Sequence, residues 1–137
     1  MSKDKINLYI SQGLFYNVFV PKSLPDVELS EMSCCASISQ GIISDKDALD
    51  LSLRLKALAD PIRIKIIAFV LSKKDIGVRN IDLVAYLDLS DATISHHLKQ
   101  LSKAGFLISE RKGTSIYYWP RLESLGMLSR IIDPNCC

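Results

Sequence analysis

The chain has 137 residues, 48% of them hydrophobic and 23% charged, which is ordinary for one globular domain with a single modest core. Its net charge of +2 is too small to indicate a nucleic-acid partner by itself, and no apolar run reaches the roughly 18 residues needed to cross a membrane. Because no secretory signal is recognised near its start, the chain is expected to be cytoplasmic, where cysteines serve more often as ligands or redox groups than as structural bridges.

Residues 1–40 differ from the rest of the chain. They contain Pro21 and Pro25 and show no sustained hydrophobic periodicity, so we predict an N-terminal extension that is partly disordered. The adjacent pair Cys34 and Cys35 lies within this extension. Met32 directly precedes "SCC", and the residues ahead of it are therefore either functional or an upstream extension of a shorter protein.

The first two predicted helices meet at Asp60-Pro61. Ser44, with Asp47 three residues later, resembles a capping box at a helix start. Apolar residues then recur at helical spacing, at Ala48, Leu51, Leu55 and Leu58. Pro61 is tolerated at the first position of a helix but not inside one, so it opens the second helix. The buried face of that second helix is expected to consist of Ile64, Ile67, Ala68 and Leu71.

The second half of the chain predicts a recognisable fold. A short helix at about 80–87 precedes a longer one at about 91–104, which Ser90 caps and Gly105 ends. The stretch "FLISERKGTSIYYW" predicts a β-hairpin around a charged turn, and a last helix follows at about 121–132. This order is typical of a winged helix-turn-helix, a mainly α fold with a small β-hairpin.

The helix "DATISHHLKQLSKAG" has two contrasting faces. Ile94, Leu98 and Leu101 share one side and are expected in the core. The other side is small, polar and positive, which suits the major groove of double-stranded DNA. Its candidate DNA contacts are Thr93, Ser95, His96, Lys99 and Lys103. His97 lies nearer the apolar side and is expected to be half-buried, with its ring hydrogen-bonded.

Positive charge is concentrated around this helix and the hairpin. Between residues 92 and 121, five basic residues stand against the single acidic residue Glu110, a net charge of +4. Arg111 and Lys112 at the hairpin tip are expected to contact the DNA backbone or the minor groove, as a wing does. The alternative is an ordinary charged turn that is simply solvated.

Three stretches, "LKALADPIRIKII", "TISHHLKQLSKAG" and "ERKGT", resemble the ArsR/SmtB family of bacterial metal-responsive repressors, and the resemblance covers about residues 44–132. It implies no enzyme and no required cofactor, but a homodimer that forms through its first and last helices and sets two recognition helices in successive major grooves of operator DNA. DNA-facing roles are implied for Thr93, Ser95, His96 and Lys99, whereas Asp91 replaces the glutamine usual at its position.

The sequence is expected to divide into three parts. Residues 1–40 form the extension, residues 41–132 form the DNA-binding and dimerisation domain, and residues 133–137 form a tail that ends in Cys136 and Cys137.

All four cysteines form two adjacent pairs, Cys34 with Cys35 and Cys136 with Cys137. Adjacent Cα atoms lie about 3.8 Å apart, too close for an unstrained disulfide of about 5.5–6 Å, and the neighbouring residues do not resemble a core. Two effector sites of the family are missing. The last 17 residues contain no histidine, and the family's Cys-Val-Cys-Asp-Leu motif is replaced by "RNIDL" at residues 79–83. Some arsenic sensors of the family instead use an N-terminal pair or cysteines after the last helix.

The resemblance therefore predicts a thiolate site for an effector. Three thiolates suit As(III) or Sb(III), and four suit Zn(II), Cd(II) or Pb(II). We expect the two pairs to share one metalloid site, within or between subunits. The open alternatives are a site with only one C-terminal thiol, a repressor that senses Cd(II), Pb(II), Zn(II) or thiol oxidation, and a DNA-binding protein without an effector. A thiol oxidoreductase is disfavoured because Cys-X-X-Cys is absent.

Overall fold

The computed structural model describes residues 10–11, 14–15, 41 and 43–132. Over these residues the chain is mostly helical, with a small three-stranded antiparallel sheet, as predicted. The helices are α1 (Asp45–Leu58), α2 (Pro61–Ser72), α3 (Asn80–Leu87), α4 (Asp91–Lys103) and α5 (Leu122–Ile132). The strands are β1 (Ile10–Ser11), β2 (Leu14–Phe15), β3 (Val78–Arg79), β4 (Leu107–Lys112) and β5 (Ser115–Pro120).

Side chains cap the first two helices, at Ser44 as predicted and at Asp60, for which the sequence analysis had given only a helix start at Pro61. At the start of α1, the Ser44 hydroxyl accepts from the Asp47 amide at 3.1 Å and donates to the Asp47 carboxylate at 2.6 Å. At the start of α2, the Asp60 carboxylate accepts from the amides of Ile62 and Arg63 at 2.8 and 3.2 Å. These bonds satisfy amides that have no partner within the helix, which fixes where each helix begins.

The buried face of α2 differs from the prediction. Ile67 is buried as expected, but Ile64 is 55% exposed, and Ala68 and Leu71 are also exposed. The residues that enter the core are Ile66, Ile67 and Val70. The helix is apolar on nearly every side, so its sequence periodicity does not indicate which side packs inward.

The two helices of the helix-turn-helix are joined by a tight connection. Helix α3 ends at Leu87, and the residue that caps it, Asp88, has a left-handed backbone with φ of 53°. Ser90 then caps α4 by accepting from the Thr93 amide at 3.2 Å. Gly105, with φ of 78°, follows the end of α4 as predicted. Only residues 88–90 thus separate the two helices.

The wing is the antiparallel pair of β4 and β5, with Leu107 opposite Pro120 and Lys112 opposite Ser115. Strand β3 adds a third member, which the sequence had not indicated, by pairing Val78 with Tyr118. The sheet order is therefore β3-β5-β4, and the chain segment that leads into α3 is attached to the base of the wing.

One core connects the five helices and the three-stranded sheet. Its fully buried members include Ala57 of α1, Ile66 and Val70 of α2, Leu83 of α3, Ile94, Leu98 and Leu101 of α4, and Phe106. Leu128 of α5 joins the same cluster, and Tyr118 of the wing packs against it. Since both helices of the helix-turn-helix and the wing share this core, their relative positions are fixed by packing.

Candidate nucleic-acid interface

The outer face of α4 is polar and open to solvent. Ile94, Leu98 and Leu101 are buried, which confirms the orientation expected from the sequence. Thr93, Ser95, His96 and Lys99 are exposed, and Lys103 is half-buried. Four of the five candidate contacts on this helix are therefore accessible to a ligand as large as DNA, and the fifth is partly so.

Two hydroxyls mark the N-terminal end of this face. The Thr93 hydroxyl lies 2.8 Å from that of Ser90, the cap residue, so its orientation is tied to the start of the helix. N-terminal residues of a recognition helix are those that reach base edges most directly. Thr93 and Ser95 therefore occupy the positions from which a short side chain could reach the groove floor.

A hydrogen-bonded contact between α3 and α4, which the sequence had not indicated, lies beside these hydroxyls. The Asn80 amide nitrogen donates to Asp91 Oδ1 and, at 3.1 Å, to the Ser95 hydroxyl. Asn80 is 11 residues before Asp91, so no helical periodicity connects them, and only the folded helix-turn-helix brings them together. The exposed, acidic Asp91 thus belongs to the same face as the candidate DNA contacts.

The two adjacent histidines are separated as expected. His96 is exposed and His97 is half-buried, with ring centroids 5.9 Å apart. The expected hydrogen bond to the His97 ring is wrong for one nitrogen, because Nδ1 is buried and has no partner among the residues described. The charged groups of Asp60 and Arg63 lie nearby, but the Asp60 carboxylate is occupied by the amides at the start of α2.

Burial lowers the pKa of His97, and this effect outweighs the attraction of the Asp60 carboxylate. Near neutral pH the ring is therefore uncharged. It acts as a packing residue on the inner side of α4, whereas His96 faces outward.

The wing carries both predicted basic residues, in different environments. Arg111 is exposed, and its Nε donates to the carbonyl of Gly113 at the tip, at 3.3 Å. Lys112 instead extends over the ring of Trp119, with Nζ 4.7 Å from the centroid, and lies 3.8 Å from the Glu110 carboxylate. Arg111 is thus the more available cation, and Lys112 must leave the aromatic ring to reach a phosphate.

The position at which the resembled family has a cysteine motif holds an ion pair here. Arg79 and Asp82 are joined by two side-chain hydrogen bonds of 2.9 and 3.2 Å, and the Arg79 amide also donates to Asp82. The hydrogen bonds from Arg79 lower the pKa of Asp82. This pair starts α3 with oppositely charged side chains that are satisfied by each other, in place of thiolate ligands.

The four cysteines, Cys34, Cys35, Cys136 and Cys137, lie outside the residues that the structure describes. Within the described residues, no group of three or more His, Cys, Asp or Glu side chains is arranged to hold a metal ion. None of the helices described there is long and apolar enough to span a membrane.

The fold and this surface define the class of protein. A core-anchored helix-turn-helix, an accessible polar face on its second helix and a basic hairpin beside that face together constitute a winged helix-turn-helix.

Comparison with known proteins shows which regulators the chain is similar to. Residues 60–109 match the model described as "Bacterial regulatory protein, arsR family". The cadmium resistance transcriptional regulatory protein CadC of Listeria innocua serovar 6a is 29% identical over 96 residues, which cover 67% of this chain and 79% of CadC. The arsenic resistance transcriptional regulator ArsR1 of Pseudomonas putida is 34% identical over 84 residues, which cover 58% of this chain and 64% of ArsR1.

Solved structures of similar regulators have the same fold. A possible transcriptional regulator for arsenical resistance is 26% identical with a TM-score of 0.53, over 58% of this chain and 80% of that one. The antimony-specific transcriptional repressor AntR, at 23% identity and a TM-score of 0.56, covers 71% of this chain with 89% of its own and has the same fold. Residues 60–109 thus match the arsR family of bacterial regulatory proteins, and the chain is similar to regulators of metal and metalloid resistance.

Proposed function

We propose that the protein is a transcriptional repressor that dissociates from its operator when As(III) or Sb(III) binds its cysteine thiolates. The observation that supports DNA binding is the exposed face of α4, with Thr93, Ser95, His96 and Lys99 accessible beside the basic wing. In this proposal short hydroxyl and imidazole groups contact base edges, while lysines and Arg111 contact phosphates.

The proposed sensor uses Cys34, Cys35, Cys136 and Cys137. Support comes from their chemistry, because two adjacent pairs offer up to four soft sulfur donors, and soft ligands select soft ions. Among the relatives, ArsR1 is named for arsenic resistance and CadC for cadmium resistance. Three thiolates favour As(III) or Sb(III), and recruitment of a fourth would favour Cd(II), Pb(II) or Zn(II), which is the second candidate effector class.

Effector and DNA would compete by linkage. Two recognition helices of a homodimer must match half-sites about 34 Å apart. If the metalloid binds better to a dimer geometry that does not match this spacing, a coupling free energy of about 1–3 kcal/mol weakens operator binding by about 5- to 150-fold. Because thiolates are the ligands, effector affinity falls as the pH is lowered.

The test is fluorescence anisotropy of the purified, reduced full-length chain on DNA from its own promoter, titrated with arsenite and then with Cd(II) and Zn(II). We expect arsenite to release DNA, and the Cys34→Ser/Cys35→Ser variant to bind DNA normally but to ignore arsenite. The Cys136→Ser/Cys137→Ser variant then shows whether both pairs form one site.

Three other outcomes would revise the proposal. Release by Cd(II) or Zn(II) but not by arsenite would favour the second effector class. Tight DNA binding that no ion weakens, in the reduced or the oxidised protein, would leave a repressor without a thiolate sensor. Absence of specific DNA binding would contradict the assignment of the α4 face.

A further inference from the structure

Asp91 is an acidic side chain on a surface that otherwise suits DNA. It is exposed at the first position of α4, one helical turn before Ser95. A carboxylate facing phosphates is repelled by them, so its presence there requires either a structural or a recognition role. An acidic residue in the first turn does stabilise a helix through the helix dipole, and that is the structural explanation.

The contact with Asn80 goes beyond what the helix dipole requires. The Asn80 side-chain amide donates both of its hydrogens to α4, one to Asp91 Oδ1 and one to the Ser95 hydroxyl. The amide cannot be turned around, because its oxygen would then face a carboxylate, which only accepts hydrogen bonds. Its own oxygen is left buried with no partner among residues 43–132. Such unpaired buried atoms reduce stability and are uncommon away from functional positions.

The result is a preorganised acceptor and donor on the outer face. Asp91 Oδ2 has no hydrogen bond within the described chain and is free to accept. The Ser95 oxygen accepts from Asn80, so its own hydrogen remains available to donate outward. Asp91 and Ser95 lie at i and i+4, on one side of α4, and both are held by the same amide group.

We infer that Asp91, positioned by Asn80, determines operator specificity by accepting a hydrogen bond from the exocyclic amino group of a base in the major groove. That group is cytosine N4 or adenine N6, the two amino donors at the major-groove edge. Asn80 is a positioning residue, and Ser95 donates to a neighbouring acceptor on the DNA. The inference rests on the proposed DNA-binding function and deepens it.

The first experiment uses the full-length reduced chain. Binding sites are selected from random duplex DNA at about 0.15 M salt, since affinities depend on ionic strength. Wild type, Asp91→Ala and the control Glu123→Ala, which removes an exposed acidic side chain from α5, are compared on all single-base variants of the selected site. We expect Asp91→Ala to lose about tenfold discrimination at one base pair per half-site, and Glu123→Ala to lose none.

The second experiment removes the amino group from that base pair. Adenine is replaced by unsubstituted purine, or cytosine by pyrimidin-2-one, which distinguishes the two sources. The wild type should lose about tenfold in affinity on the altered DNA, and Asp91→Ala should lose almost nothing, because the missing partner is the same. An equal loss in both proteins overturns the inference, and so does an Asp91→Ala variant that binds every sequence more tightly by one common factor.

Asn80→Ala tests the positioning role. It should lose most of the discrimination at the same base pair, and the Asn80→Ala/Asp91→Ala double variant should lose no more than Asp91→Ala. Discrimination that is intact in a folded Asn80→Ala variant contradicts the positioning role. If Asn80→Ala does not fold, the Asp91→Ala result on the altered DNA decides alone. If the wild type selects no sequence at all, the proposed function fails first, independently of Asp91.

Discussion

His97 is the residue whose protonation state the fold controls most directly. Its ring lies on the inner side of the recognition helix α4, with Asp60, Arg63 and His96 as the charged or titratable groups around it. Because burial lowers the pKa of His97, the unfolded chain binds a proton there at a higher pH than the folded chain does. Stability from this residue is therefore complete above the unfolded pKa of about 6.5 and is lost as the pH falls through the folded value.

We expect the melting temperature of the wild type to fall between pH 7.5 and pH 5.5, and that of His97→Gln to change less over the same range. Differential scanning calorimetry at matched ionic strength measures this. The pKa of Asp60 is also lowered: burial of its carboxylate opposes this shift, but the amide hydrogen bonds from Arg63 and Ile62 outweigh burial. Asp60 therefore affects stability only below about pH 4, outside the range in which His97 titrates. Equal pH dependence in both proteins would assign the effect to another group.

Gly77 occupies a position where only glycine fits without strain or steric overlap. Its φ is +78°, and a Cβ atom there would lie 2.7 Å from Cε2 and 2.8 Å from Cζ2 of Trp119. Gly113 at the wing tip also has a positive φ, of +64°, but a Cβ atom there meets nothing within 4 Å. The two glycines therefore separate backbone strain from steric overlap.

We predict that Gly77→Ala lowers the free energy of unfolding by about 2–4 kcal/mol, the sum of left-handed strain and overpacking. Gly113→Ala should cost only about 1 kcal/mol, from strain alone. Urea denaturation followed by circular dichroism provides both values. Similar losses in the two variants would mean that Trp119 moves aside at no cost.

At the level of elements, α1 contains a largely buried ion pair between Arg54 and Asp50. The Arg54 side chain is 2% exposed and lies 3.0 Å from the Asp50 carboxylate, one turn earlier, while its Nε is buried without a partner among the residues described. Breaking a buried pair from one side strands a charge, which costs more than replacing both members by apolar groups.

We expect Asp50→Ala to lower the free energy of unfolding by about 3 kcal/mol, and Asp50→Leu/Arg54→Met to lie within about 1 kcal/mol of the wild type. Urea denaturation at one fixed protein concentration makes the comparison valid if the chain self-associates. A double variant less stable than Asp50→Ala would show that Arg54 contributes packing that methionine cannot replace.

Local signals predicted the elements, and tertiary contacts explain what they missed. The caps at Ser44, Asp60 and Ser90 and the stop at Gly105 are short-range chemistry, so the helix boundaries followed from sequence. Strand β3 has only two residues, and it exists because β5 pairs with it across the fold. The prediction of the buried face of α2 was wrong because this helix is apolar on nearly every side, so its sequence does not indicate which side packs inward.

The same distinction applies to the candidate site. The exposed face of α4 was predictable because it depends on periodicity within one helix. The contact of Asn80 with Asp91 and Ser95 was not, because it joins two helices whose relative angle is set by the shared core. The thiolate site and the DNA contacts of α4 and the wing stay predictions.

At the scale of the molecule, the first and last described helices keep apolar side chains in solvent. Leu49 and Leu55 of α1 and Leu122 of α5 are 48%, 42% and 53% exposed. The proposed homodimer would cover these residues. We expect sedimentation velocity to give a dimer for wild type, a monomer for Leu55→Glu, and a dimer for the control Ile76→Glu, which alters an exposed residue between α2 and β3.

The Leu55→Glu monomer should bind operator DNA at least tenfold more weakly, because a single recognition helix then contacts a single half-site. If Leu55→Glu stays dimeric and binds normally, the subunits associate through another surface.

The contact between Lys112 and Trp119 makes tryptophan fluorescence sensitive to the position of a side chain in the wing. Trp119 is the single tryptophan in the chain, and the Lys112 ammonium lies 4.7 Å from its ring. If Lys112 moves to a phosphate when DNA binds, the indole loses the adjacent positive charge, and its emission should change in wavelength and intensity without any attached dye. Lys112→Ala should have altered emission in the free protein and a much smaller change on DNA addition. Tryptophan fluorescence could then time the engagement and release of the wing separately from those of the recognition helix.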